Sequence, residues 1–160
     1  MRWEDLDREA CSVARTLSVV GDRWTLLILR ECFLSTRRFE EFETRLGIAR
    51  HVLADRLKKL TEAGVLSKLA YQERPRREEY RLTEKGRDLY PVMMTLAQWG
   101  DKYMAGDAGP PLLRVHKPCG HVTVGALICS ECGEPIAAHD VSVKLGPGAA
   151  EATLPAARKA

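Results

Sequence analysis

Residues 49–82 read ARHVLADRLKKLTEAGVLSKLAYQERPRREEYRL, and this stretch decides the fold. Its first half carries apolar residues at helical spacing as far as Gly64, which predicts a helix over Ala49–Ala63. Beyond that glycine the periodicity changes, and Val65–Tyr71 and Glu79–Leu82 are predicted to be two strands. The segment that joins them is basic and contains a proline, which is typical of the wing that follows a helix pair.

Three helices are predicted before this stretch. Ser12–Val20 has a helical repeat of apolar residues. Arg23–Phe33 is apolar on nearly all sides, so we expect this second helix at the centre of the core. A short third helix presents Phe39, Phe42 and Leu46 on one face. The quoted helix would then be the second member of a helix-turn-helix.

A long helix is predicted after the strands. Thr83 is a suitable N-cap, and the helical pattern runs to about Met104. Pro91 is expected to kink this helix rather than end it. One face carries apolar residues at alternating steps of three and four, which favours helix–helix packing, including packing between subunits. These residues are Leu89, Val92, Leu96, Trp99 and Tyr103.

The chain as a whole is predicted to be one principal domain with a small appendage. Its 160 residues, 45% hydrophobic and 29% charged, suit a globular protein with a real core. The predicted fold class is mainly α with a small β-wing, a winged helix-turn-helix, followed by a small β zinc-ribbon-like module. The predicted boundaries are 1–104 for the winged domain, 105–111 for a linker, 112–145 for the module and 146–160 for a disordered tail.

Several classes of protein are excluded by the sequence. The first residues are acidic and lack an apolar run, which argues against a secretory signal. The longest apolar stretch, Trp24–Leu29, is too short to cross a bilayer. No nucleophile–base pair, phosphate-binding glycine loop or pair of carboxylates stands out, so we expect no enzyme. The expected location is the cytoplasm, with no membrane partner.

The helix over 49–63 has an apolar and a polar side. Val52, Leu53, Leu57 and Leu60 are expected in the core. The net charge is only +3, so a case for nucleic acid must come from where the charges sit. They fall on the two elements that a winged helix presents to DNA, the polar helix side and the wing over 73–78. The candidate DNA-binding residues are Arg50, His51, Ala54, Asp55, Lys58, Arg74, Arg76 and Arg77.

Each candidate has a role and an alternative. Arg50 is the first choice for a bidentate contact with guanine, which contributes about 1–3 kcal/mol of discrimination. Lys58 and the wing arginines suit phosphates. Asp55 either accepts a hydrogen bond from a cytosine amino group or orients a neighbouring arginine. His51 can equally be a plain surface residue, and any single charge here can be a solvated side chain.

Several short motifs occur in an order that resembles the HxlR-type family of winged-helix transcriptional regulators. The resemblance covers residues 11–104. The motifs are Cys11, the run from Gly21 to Leu29, Phe39-Glu40-Glu41-Phe42, Gly47-Ile48, the run from Asp55 to Leu60, Gly64-Val65-Leu66, the run from Tyr80 to Gly86, and Trp99-Gly100.

The resemblance implies a homodimer, built largely from the terminal helices, that binds a roughly palindromic double-stranded DNA operator. Repression of a nearby gene is the commoner mode in the family. Members often carry a cysteine where Cys11 stands, and in some of them it senses oxidants or electrophiles. A thiol at a helix N-terminus is more reactive because the helix dipole favours the thiolate. Ser12 departs from the proline usual in the family, and a plain structural thiol remains the alternative.

The remaining cysteines point to different roles. Cys32 lies on the apolar helix and is expected to be a core residue. The other three cysteines and a histidine form two knuckles of one pattern: a ligand, two residues, a cysteine and a glycine. This pattern predicts a structural Zn²⁺ site. The predicted ligands are His116, Cys119, Cys129 and Cys132, with His121 as a rival to His116 and short strands around Gly125.

The function predicted from the sequence is sequence-specific regulation of transcription. The alternative is a winged-helix and zinc-ribbon module that bridges proteins in transcription without reading a DNA sequence. In that case the loss of Arg50, His51 or Lys58 would be tolerated. Nothing in the sequence identifies a small-molecule effector.

Overall fold

A computed structural model describes residues 3–149, in two units that are described separately. One unit is Val19–Gly125, and the other combines the described parts of Met1–Ser18 and Ala126–Ala160. The predicted domain boundaries stay predictions, and residues 150–160 of the predicted tail lie outside the described residues. The helices are α1 (Ser12–Val20), α2 (Arg23–Phe33), α3 (Phe39–Leu46), α4 (Arg50–Glu62), α5 (Glu84–Arg87) and α6 (Tyr90–Met104). The strands are β1 (Leu66–Glu73), β2 (Arg76–Leu82), β3 (Val115–His116) and β4 (His121–Val122).

The core forms where α2 meets α3 and α4. Ile28 and Leu29 of α2 are fully buried, as the apolar pattern of that helix predicts. Leu53 and Leu57 of α4 are fully buried with them, and Val52 is half-buried at the edge. The other members of the buried cluster are Val20, Phe42, Ile48, Leu60, Val65 and Leu66. Helical spacing therefore predicted the buried side of α4 correctly.

The N-terminus of α2 is tied to α4 through Asp22. The Asp22 carboxylate caps α2 by accepting hydrogen bonds from the N–H groups of Trp24 and Thr25, at 3.0 and 3.3 Å. The same carboxylate accepts from Arg56 Nε at 2.9 Å and from Arg56 Nη2 at 3.2 Å. Partial burial raises the pKa of Asp22. The hydrogen bond and charge of Arg56, together with the backbone N–H groups of Thr25 and Trp24, lower it by more, so the pKa lies below its usual value.

A buried carboxylate ties α2 to α3. Glu31 is only 3% exposed. One of its oxygens accepts from Arg30 at 2.6 Å, and the other accepts from the Thr36 hydroxyl at 3.1 Å and from Arg45 at 3.3 Å. These partners satisfy the charge, which would otherwise be costly to bury. The loop before α3 and the last turn of α3 are thereby held to α2.

The wing is the antiparallel β1–β2 hairpin, in which Leu66 pairs with Leu82 and Glu73 with Arg76. Both strands differ from the predicted 65–71 and 79–82, because each runs further toward the tip and only Arg74 and Pro75 remain between them. Arg76 and Arg77 therefore belong to a strand and not to the predicted loop. Backbone pairing across the hairpin stabilises residues with weak intrinsic strand preference.

The predicted single helix from Thr83 to Met104 is wrong, because two helices occupy this segment. Thr83 does cap α5, since its hydroxyl accepts from the N–H of Gly86 at 3.1 Å. The chain then breaks at Asp88 and Leu89, and Pro91 lies in the first turn of α6. Proline is well tolerated there, because N–H groups of a first turn have no partner inside the helix. Pro91 therefore begins a helix and does not kink one.

Residues 112–125 pack along α6. Arg114 Nη1 lies 2.8 Å from Asp101 Oδ2, and Gln98 Nε2 donates to the Gly125 carbonyl at 3.0 Å. A Cβ at residue 125 would lie 3.0 Å from Gln98 Oε1 and 3.3 Å from Met94 Sδ, so the close approach favours glycine. The strands predicted around this glycine are wrong. The β3–β4 hairpin ends at Val122, and Ile128 makes an isolated bridge with Pro135.

The double role of Asp22 is testable by two substitutions. Asp22→Asn keeps an N-cap and loses the ion pair, so we expect a loss of about 0.5–1 kcal/mol in the free energy of unfolding. Asp22→Ala also removes the N-cap, so we expect a further loss of about 1 kcal/mol in the free energy of unfolding. The measurement is urea unfolding, with the exposed Asp88→Asn as a control that should change little.

The pH dependence follows from the lowered pKa of folded Asp22. Its contribution is complete above the unfolded pKa of about 4 and is lost as the pH falls through the folded value. The difference between wild type and Asp22→Asn should therefore be present at neutral pH and vanish in acid. A difference that persists in acid would contradict the ion-pair role.

Candidate nucleic-acid interface

All eight residues predicted to contact DNA are exposed. Five lie on α4: Arg50, His51, Ala54, Asp55 and Lys58. Three lie in the wing: Arg74, Arg76 and Arg77. Exposure is required for contact with DNA but does not by itself establish it, so the individual contacts stay predictions.

Arg50 is held at the junction of α3 and α4. Its Nη1 lies 2.9 Å from Glu43 Oε2, and its guanidinium lies over the ring of Phe39 at 4.7 Å from the centroid. The Arg50 side chain is nevertheless 65% exposed. The contacts orient a guanidinium at the N-terminal end of α4, the end that a recognition helix points at base edges.

One cleft of about 530 Å³ brings the start of α4 and the wing together. Arg50, Arg76 and Arg77 all line it. Arg38 and Tyr71 line the same cleft, and neither was predicted from the sequence. The arginine lies over the tyrosine ring at 4.6 Å from the centroid. The basic pair Arg37-Arg38 before α3 was the available signal in the sequence. The backbone bridge from Arg38 to Glu79 of β2 is a long-range contact, which a local pattern does not predict.

The charged residues in the second half of α4 are partly paired within the helix. Asp55 accepts from Lys59 at 3.0 Å and also pairs with Arg56. The hydrogen bond from Lys59 is the largest cause of the lowered pKa of Asp55, and the charges of Lys59 and Arg56 add to it. Lys58 lies 3.7 Å from Glu62, one turn further along. Of the two predicted roles of Asp55, these contacts favour orienting its basic neighbours.

Cys11 and Cys32 have contrasting environments. Cys11 directly precedes α1, as the sequence predicted, and it is exposed. Arg15, in the first turn of α1, donates from Nε to the Glu9 carbonyl at 2.7 Å. Burial raises the pKa of Cys32 to about 12, and the charge of Glu31 adds to the effect. Cys32 packs against the core cluster and is an unreactive core thiol, as expected.

Each predicted metal knuckle is a tight turn in which the two ligands of the pair approach one another. His116 Nδ1 lies 3.3 Å from Cys119 Sγ, whereas two ligand atoms of a tetrahedral Zn²⁺ lie about 3.6 Å apart. His121 pairs with His116 across the β3–β4 hairpin. In the other knuckle, backbone hydrogen bonds from Cys132 and Glu131 lower the pKa of Cys129. Within residues 3–149, no group of three or more His, Cys, Asp or Glu side chains is placed to hold a metal.

The fold and this interface define a winged helix-turn-helix protein. Its helix α4, the second helix of the helix-turn-helix, shares one cleft with the basic wing. The HxlR-like helix-turn-helix family matches residues 19–108. The uncharacterized HTH-type transcriptional regulator Rv3095 of Mycobacterium tuberculosis is 48% identical over 140 residues, which is 88% of this chain and 89% of the relative. The chain therefore belongs to the HxlR-like helix-turn-helix family.

Solved structures agree with this assignment. PA1607, a candidate transcription factor, has a TM-score of 0.78 at 37% identity, over 86% of this chain and 96% of its own. The redox regulator HypR in its reduced form has a TM-score of 0.54 at 30% identity, over 57% of this chain and 92% of its own. Family and relatives are DNA-binding regulators and not enzymes, so this protein is a transcriptional regulator of the winged-helix type. Among residues 3–149, no helix is long and apolar enough to span a membrane.

Proposed function

We propose that this protein is a homodimeric repressor in the cytoplasm that recognises a palindromic DNA operator through α4 and the wing. The observation that carries the proposal is the shared cleft, which Arg50 of α4 lines together with Arg76 and Arg77 of the wing. One element supplies side chains suited to base edges, and the other supplies charges suited to phosphates. A bridging module would have no need to hold an arginine at the start of α4.

The proposed dimer is supported by an apolar stripe on α6. The α6 stripe comprises Val92, Leu96, Trp99 and Tyr103, whose exposed fractions are 47%, 48%, 59% and 61%. The rings of Trp99 and Tyr103 lie 5.4 Å apart and extend the apolar surface along the helix. A second copy would bury this surface symmetrically and present two equivalent α4 helices to paired half-sites.

The proposal is tested by selecting binding sites from random duplexes with wild type and Arg50→Ala. We expect wild type to enrich a palindrome that binds two chains. Arg50→Ala should lose about 1–3 kcal/mol of discrimination at one base of each half-site. Arg76→Ala should weaken binding to all sequences and reduce the salt dependence by about one charge.

Arg87→Ala is the matched control. Arg87 is exposed on α5, which follows the wing at the end away from the wing's tip. It should leave the selected sequence and the affinity unchanged. If no sequence is enriched, and all proteins show the same steeply salt-dependent binding, the bridging alternative replaces this proposal.

We also propose that DNA binding responds to oxidation of Cys11. The exposed thiol directly before α1 supports this proposal, as does similarity to the redox regulator HypR. Oxidant should change the affinity of wild type for the selected duplex, while Cys11→Ser should be insensitive. Cys32→Ser should respond like wild type, because that thiol is unreactive. A response that survives in Cys11→Ser would contradict the proposal.

We further propose that His116, Cys119, Cys129 and Cys132 bind a structural Zn²⁺. The repeated spacing and the close approach of His116 to Cys119 support it. Protein purified without chelators should contain about one Zn²⁺ per chain. Cys132→Ser should lose the metal, and Cys32→Ser should retain it. His116→Ala should lose more metal than His121→Ala. If the purified protein contains no metal while the module over 112–145 is folded, the proposed Zn²⁺ site is contradicted.

A further inference from the structure

A cavity of about 450 Å³ lies between α2, α6 and the segment 112–115, all within the unit Val19–Gly125. Leu27 and Phe33 of α2, Met93 and Ala97 of α6, and Leu113 of the segment contribute apolar walls. This volume falls in the range of small-molecule sites, which are mostly apolar with a few polar groups.

The wall formed by the segment 112–115 is anchored to α6. The ion pair of Arg114 with Asp101 is 2.8 Å long, and both side chains are about three-quarters buried. The Arg114 carbonyl accepts from the N–H of Thr123 at 2.8 Å. The family match ends at residue 108, so this wall lies outside the part of the chain that the family describes.

The charged groups of the cavity are both cationic. Arg30 and Arg114 are among its lining residues, and none of those lining residues is acidic. Glu31 accepts from Nε and Nη2 of Arg30, and Asp101 accepts from Nη1 of Arg114. Within residues 3–149, the Nη1 group of Arg30 and the Nη2 group of Arg114 make no hydrogen bond to protein and can donate to a ligand.

We propose that this cavity binds a small aromatic carboxylate, with its ring against the apolar walls and its carboxylate on the arginines. Apolar burial supplies attraction without direction, and a guanidinium recognises a carboxylate by paired hydrogen bonds. Of the α6 stripe, only Leu96 also lines the ligand site. Trp99 lies roughly 160° around the helix from Ala97, given 100° per residue. Contacts of a second copy with Val92, Trp99 and Tyr103 would therefore lie away from Ala97, on the other side of α6.

The experiment titrates the full chain with 2-naphthoate and, as an uncharged probe of the same shape, 2-naphthalenemethanol. We expect saturable binding of naphthoate, at least tenfold tighter than that of the alcohol. Ala97→Trp fills the cavity from α6, and Leu113→Trp fills it from the opposite wall. Each should weaken naphthoate binding at least tenfold. Two variants from different walls keep the test decisive if one of them fails to fold.

Two charge variants test the polar end of the ligand site. Arg30→Gln should weaken naphthoate about tenfold, the expected effect of losing a charged hydrogen bond, and should leave the alcohol unchanged. Arg23→Gln is the control, because Arg23 is exposed on the same helix and does not line the cavity. It should bind both probes like wild type. Equal affinity for the two probes would overturn the assignment to a carboxylate.

Other occupants give distinct results. If Ala97→Trp converts a dimer to a monomer in sedimentation velocity without affecting probe binding, the cavity is an interface between copies. If removal of residues 150–160 raises naphthoate affinity at least tenfold, the chain's own end occupies it. Either result overturns the proposal, as does a lack of saturable binding. None of these measurements uses DNA, so failure here is distinguishable from failure of the proposed regulatory function.

Discussion

The position of α4 depends on the apolar layer that it shares with α2. Ile28, Leu29, Leu53 and Leu57 are fully buried there, and truncating one such leucine to alanine typically costs 2–5 kcal/mol. The ion pair from α4 to Asp22 contributes less, about 1 kcal/mol or below, because it is partly exposed. The layer therefore fixes how closely the helices approach. The directional ion pair limits the rotation of α4 and so fixes which of its residues face outward.

Local pattern predicted the four helices before the wing well and the pairing of segments poorly. The cap at Thr83 and the buried face of α4 were correct because they depend on neighbours a few residues away. The strands of the wing were predicted to be too short, because strand length depends on cross-strand partners, such as Glu73 opposite Arg76. Arg38 was missed for the same reason, since a contact with β2 brings it to the cleft. The break before Pro91 was missed because the apolar spacing continues across it.

Helix α6 has two faces with different environments. Met93 and Ala97 face α2 and the segment 112–115, and Asp101 is paired with Arg114 of that segment. The α6 stripe is exposed along its length, and only its residue Leu96 also lines the cavity. A substance held against Ala97 would contact α2 as well, and α2 is joined to α4 by the apolar layer. The segment 112–115 thus adds a third wall to the place where α2 and α6 meet. Of these two helices, α2 positions α4 and α6 carries the stripe.

In the proposed complex with DNA, Arg50 would exchange its contact with Glu43 for a contact with a base. Its pair with Glu43 is exposed on the arginine side, where such pairs contribute about 0–1 kcal/mol. A bidentate contact with guanine contributes about 1–3 kcal/mol of discrimination, so the exchange is favourable on the correct base. At another base Arg50 can stay with Glu43 and over Phe39 and gain nothing from DNA. Releasing Arg50 from Glu43 costs the same free energy whichever base it then contacts, so the pair lowers the net gain of a base contact without changing the order of base preference.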